Sequence, residues 1–313
     1  TKEGRSYTKY FCGVALLQSP FFMVSWVSAK LMGYPAYGYS LPFHFGMFFA
    51  SLFYFLAALF LINRVLIRCG IKPFRSSMAL TALVFATNAA NYVWNEAAFS
   101  HTYALFLVSV FIYCLHTVAK SPTYKSVAIT EFIIGLILIT RPTTILAVLF
   151  LPLFFSNTEE VNKPLYFILK SQQLLVVALI AALLPIAIQS CLYFLQTGDF
   201  WIYTYGEEGF DFLQPEISNF LLSYQKGWFV YTPVFLLMVV GLFYWVYNKN
   251  QAFKAISFLF GFSVVVWVLW RELWHAVNDR FLSNIYNSRC SWYSAIFYFN
   301  PGGSQRNNWF SLG

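Results

Sequence analysis

At 313 residues the chain is long enough for one or two ordinary domains, but 59% of its residues are hydrophobic, only 10% are charged and its mean hydropathy is +0.61. A soluble domain carries about 25% charged residues, so a water-soluble fold is excluded. The formal charge of +8 falls mostly in the short gaps between apolar runs, where cytoplasmic loops collect Lys and Arg, so the expected partner is membrane lipid and not nucleic acid.

Thr1–Tyr10 carries Lys2, Arg5 and Lys9 without an initiator Met or a cleavable leader pattern, which reads as the interior of a longer protein. Beyond it, segments with enough apolar length to enter a bilayer are expected at 11–33, 42–63, 77–94, 99–118, 126–140 with 143–155, 172–195, 228–247 and 254–274. The predicted fold is an all-α, polytopic transmembrane bundle of eight to nine membrane segments over residues 1–274, with an outer loop at 196–227 and a tail at 275–313 of unknown structure. The first segment is interrupted by Gly13, Gln18, Ser19, Pro20 and Lys30, so a span and an interfacial helix both remain open.

Sidedness follows from the gaps. Arg64, Arg68, Lys72 and Arg75 mark 63–76 as cytoplasmic, as do Lys120 and Lys125 in 116–125, Lys163 and Lys170 in 156–171, and Lys249 and Lys254 in 248–254. The alternating gaps hold Glu96 and His101, then Arg141, then an acidic loop with Asp199, Glu207, Glu208, Asp211 and Glu216 against Lys226 alone. Alternation survives only if the run around Arg141-Pro142 is a hairpin, because a single span there would reverse every later segment. Pro142 disfavours helical geometry at Arg141 and breaks the backbone ladder, which suits an outward-facing turn.

Several polar residues are candidates for chemistry. Glu96 and His101 lie across a short turn and are able to bind a sugar hydroxyl, relay a proton or hold a cation; a polar turn at the headgroups is the alternative. Arg141, at the apex of an apolar hairpin, suits a lipid phosphate or diphosphate, or else snorkels to a headgroup or pairs with an acid of the neighbouring loop. The loop from Gly198 mixes Glu207 and Glu208 with Trp201, Tyr203, Tyr205, Phe210 and Phe212, which is the composition of a carbohydrate site and also of an interfacial loop. Glu131, His44 and His116 read as structural.

Cys12, Cys69, Cys114, Cys191 and Cys290 have no metal-ligand spacing and read as free thiols; no metal site and no cofactor are expected. H-E-x-x-H, Walker, G-x-S-x-G and dinucleotide motifs are missing, so an enzyme built on this chain needs a membrane-bound donor or residues outside the chain.

Taken in order, Lys9–Phe22, Asn95–His101, Gly135–Pro142 and Ser223–Pro233 resemble the bacterial polytopic glycosyltransferases of the type C fold, the superfamily of the protein O-mannosyltransferases and the aminoarabinose transferase of lipid A. The resemblance covers about residues 7–247. It implies transfer of a sugar from a polyprenyl-phosphate donor to an acceptor at the outer face of a bacterial inner membrane. It also implies that Glu96 and His101 line the cavity, that Arg141 faces the lipid phosphate, and that Lys226 and Tyr231 touch the same phosphate. The family's base is an Asp in a first outer loop, which this chain does not contain, so the chain alone is expected to be inactive. A carrier or flippase for a lipid-linked or small polar solute, and a non-enzymatic membrane scaffold, are the alternatives.

Overall fold

Proline, glycine and small hydroxyl residues set the helix ends. In the computed structural model of the chain the described residues are 10–146, 151, 155, 158–202, 222, 236, 239–241, 243 and 244. They form α1 (Gly13–Leu31), α2 (Leu41–Arg68), α3 (Pro73–Phe85), α4 (Ala89–Trp94), α5 (Ser100–Lys120), α6 (Tyr124–Thr140), α7 (Thr158–Lys170) and α8 (Gln172–Thr197), with no strand among them. Pro42 and Pro73 open α2 and α3, where a missing N–H costs nothing. Thr123 and Ser126 form a reciprocal capping box at the start of α6. α1 and α2 end at Gly33 (φ 74°) and Gly70 (φ 82°), left-handed positions that let Tyr34 and Ile71 donate back to Ala29 and Leu66.

Among the described residues α1, α2, α5 and α8 are long and apolar enough to cross a membrane. Most of the expected span 228–247, all of 254–274, nearly all of the loop beyond residue 202 and the tail 275–313 lie outside the described residues.

Side-chain contacts give the directions of the helices. Ser51 meets Thr102 at 3.3 Å and Arg68 donates to the Tyr113 carbonyl at 3.3 Å, so α2 and α5 run parallel. The connection between two parallel helices has to return along the bundle. α3 and α4 make that return as a helix broken at residues 86–88, where one uninterrupted span over 77–94 is expected from hydropathy. Thr87 occupies the break: its hydroxyl bonds the Leu83 carbonyl and accepts the Ala89 N–H at 3.2 Å, which keeps the freed backbone groups satisfied.

α6 runs antiparallel to α5, and α8 parallel to α6. Tyr124 donates to Gln173 at 2.6 Å near one end. Further along, a Cβ on Gly135 would come within 2.9 Å of the Pro185 ring. Glycine here lets two backbones approach where any side chain would hold them apart, the usual device of helices packed in lipid. The second half of the hairpin is visible at its ends. Arg141 lies beside His101, while Phe155 stacks on His116 at 4.2 Å, near the opposite end of α5. The rise between those two histidines is about 22 Å, so the chain returns toward the Lys120 end of the bundle between residues 141 and 155.

The interrupted first segment is a helix packed along α2. Phe22 faces Phe43, Phe21 faces Phe53, and Tyr54 donates to the Leu17 carbonyl at 2.8 Å. Pro20 cannot donate to Leu16, and Ser19 supplies the missing donor to that carbonyl at 2.8 Å. The main core joins α2, α3, α5 and α6 around Ile62, Leu66, Leu83, Val108 and Ile112. Cys12, Cys69, Cys114 and Cys191 form no disulfide; Cys290 lies outside the described residues. His116, read as structural, is buried between Phe155 and Cys69.

Candidate functional site

Pro142 forces the residue before it out of helical geometry, and Arg141 adopts φ −160°, ψ 100° at the end of α6. Its backbone still closes the helix through N–H to Ile137, and its carbonyl accepts the Thr144 N–H at 2.9 Å in the turn that follows. The side chain is thereby directed to the first turn of α5. Its NH1 donates to Ser100 Oγ at 3.4 Å and meets His101 Nδ1 at 3.2 Å. A guanidinium only donates, so Nδ1 accepts and the ring proton sits on Nε2.

Both partners are deeply placed, Arg141 being 6% and His101 5% exposed. The His101 ring stacks on Tyr92 of α4 at 4.2 Å and on Phe99 at 6.4 Å. Glu96 is half-buried in the turn between α4 and α5, and it and Arg141 are both near enough to the Tyr92 phenol to act on it electrostatically. The Thr144 hydroxyl is also buried and makes no hydrogen bond within the described residues. The structure thus brings Glu96, His101 and Arg141, three of the residues singled out in sequence, into one neighbourhood. Glu207, Glu208, Lys226 and Tyr231 lie outside the described residues.

Helix polarity matters at this spot. The N-terminal residue of α5 is preceded by Phe99, whose side chain caps nothing, so the first N–H groups of α5 keep their partial positive charge. The end of α6 is negative and suits Arg141, but the guanidinium itself is held against the positive end of α5. A buried cation beside an uncapped helix N-terminus forms a donor-rich surface that an anion complements.

The turn carrying Glu96 is fixed from below. Gln18 of α1 donates to the Tyr103 hydroxyl at 2.8 Å and reaches the Ala97 carbonyl at 3.5 Å, and Tyr103 donates to the same carbonyl at 3.0 Å. Tyr92, Ser100, Tyr103 and Thr144 were not singled out individually in sequence, and Gln18 was named only as a polar interruption of the first segment. An amide inside an apolar run is a signal that it has a buried partner, and Gln18 carries that signal. Tyr92 and Tyr103 do not, because tyrosine is common throughout this chain.

Register also places the site in depth. Because Ser51 is level with Thr102, residues 41–48 of α2 extend past the start of α5, by ~12 Å. On the other side, Gln189 of α8 accepts the Cys12 N–H at 2.7 Å, and Gly13 packs against Thr140. From that level α8 continues to Thr197. Arg141 and His101 therefore sit between longer helices, set back from their ends.

No family model matches the chain, and neither a curated protein nor a solved structure matches it. Any assignment of chemistry rests on the residues themselves.

Proposed function

We propose that this site binds the phosphate of a lipid-linked substrate, and that the chain is a polytopic membrane glycosyltransferase of the type C kind, using a polyprenyl-phosphate sugar as donor. The observation that carries the reading is the convergence of the buried Arg141 guanidinium on the uncapped N-terminus of α5. Arg offers a forked donor pair that matches phosphate oxygens, and the α5 N–H groups add further donors with no charge to neutralise. Phe99, half exposed beside the buried Tyr92–His101 stack, offers a face of the kind that covers the C–H surface of a sugar, with Glu96 as hydroxyl acceptor.

In this reading the eight to nine membrane segments enclose the site, and Glu207, Glu208, Lys226 and Tyr231 complete its outer wall. The membrane is a bacterial cytoplasmic one, with Lys- and Arg-rich gaps inside. A sugar-transfer assay in membranes containing the full gene product, with radiolabelled polyprenyl-phosphate sugar, tests it. Transfer lost in Arg141→Ala and reduced in Glu96→Gln supports the glycosyltransferase; unchanged transfer in both variants removes these residues from the reaction.

The depth of the site favours a second reading. Apolar residues of α2 flank the level of His101 on both sides, as far as Leu41 in one direction and Ile62 in the other. A carrier needs its polar groups near mid-membrane. Proteoliposomes that exchange a lipid-linked or small polar solute but transfer no sugar would select it.

A further inference from the structure

The gap 156–171, expected as a simple loop, contains α7 (Thr158–Lys170). Both ends of α7 are tied to the same end of the bundle. Phe155, shortly before it, stacks on His116 near the end of α5, and Gln173, shortly after it, is bonded to Tyr124 at the start of α6. A helix about 20 Å long that starts and finishes at one level lies across the bundle end and not along it.

Its side chains are sorted in the same sense. Pro164 is buried and Ile168 packs beside Val118, Val127 and Ala178. Leu165 and Leu169 continue that helical stripe beyond the edge of the bundle, where they are 59% and 63% exposed. Lys163 and Lys170 fall on the opposite side of the helix, and both are exposed. Lys120 and Lys125, from the turn between α5 and α6, are exposed at the same end.

We propose that α7 is an interfacial helix lying in the plane of the bilayer, with Leu165 and Leu169 in the acyl boundary and anionic lipid headgroups as the partner of the lysines around it. The observation for lipid over a soluble protein is position: an apolar stripe sits where the spanning helices leave the hydrocarbon, under a polar face bearing lysines of the sign that anionic headgroups attract. This inference is independent of what the Arg141 site binds.

Hydrogen exchange of the 158–170 backbone tests it, with the whole chain in nanodiscs of phosphatidylcholine with or without phosphatidylglycerol. Anionic lipid should slow exchange by roughly fivefold or more, and Lys163→Gln with Lys170→Gln should abolish the difference. Nitroxides at Leu165→Cys and Lys163→Cys give a second reading, with oxygen colliding more with the first and an aqueous nickel chelate more with the second. Exchange that ignores lipid charge overturns the anionic partner. Equal chelate access at both positions overturns the interfacial placement and would leave α7 as a docking helix for a soluble protein.

Discussion

Arg141 is held by a hydroxyl and an imidazole of the same helix turn, and the imidazole is in turn held by an aromatic stack. Replacing His101 with Phe keeps a ring against Tyr92 but removes the acceptor, and a charged donor deprived of its acceptor costs about 1–3 kcal/mol. His101→Phe and Arg141→Ala should therefore be non-additive, with a coupling of about 1–2 kcal/mol in thermal unfolding of the detergent-solubilised chain. Strict additivity would mean that the contact at 3.2 Å carries no energy. Arg141, His101 and Glu96 were legible in sequence because charged or titratable residues beside apolar runs are costly and need a reason. Their grouping was legible only in part: sidedness put them on one side of the membrane, whereas Tyr92 and Thr144 reach the same place through tertiary packing that leaves no local pattern.

Packing between helices is decided by small residues and buried amides. Gly135 is the tightest example, because α8 presents its Pro185 ring and the Ala182 carbonyl where a side chain would go. Gly135→Ala should lower stability by about 1–3 kcal/mol and Gly135→Leu by more, read as loss of thermal stability in detergent; equal stability of all three proteins would contradict the close α6–α8 approach. Gln18→Leu should release the turn that carries Glu96, since Tyr103 and the Ala97 carbonyl lose a shared donor. Faster hydrogen exchange confined to residues 95–100 is the expected result, and an unchanged rate there would show that Tyr103 alone holds the turn.

The long helices were readable to within a few residues from hydropathy, as was the Arg141-Pro142 turn. The break between α3 and α4 was not, because Thr87 disguises it: a hydroxyl that satisfies freed backbone groups looks like any polar residue in an apolar run. α7 was hidden for the opposite reason. Its apolar stripe is too short to span and its polar residues resemble a loop, so only the common anchoring of its two ends reveals it as a helix lying across the bundle.

At the scale of the whole molecule, parallel α2 and α5 and parallel α6 and α8 each need a return segment, supplied by α3–α4 and by residues 141–155. With that topology, Tyr37 and Thr123 lie on opposite sides of the membrane. Single cysteines at those positions should react with a membrane-impermeant maleimide from opposite faces of sealed vesicles; labelling from the same face would contradict the order of crossings. The same topology sets Arg141 back between α2 and α8, away from bulk water.

The most direct test is a titration of the chain, in neutral-lipid nanodiscs, with polyprenyl phosphate, measured by native mass spectrometry against the uncharged polyprenol. The phosphate should bind in preference to the alcohol, and Arg141→Ala should weaken it by about ten- to a hundredfold, the worth of a charge-assisted hydrogen bond. Equal binding of phosphate and alcohol, or phosphate binding that survives Arg141→Ala intact, would contradict the proposed site.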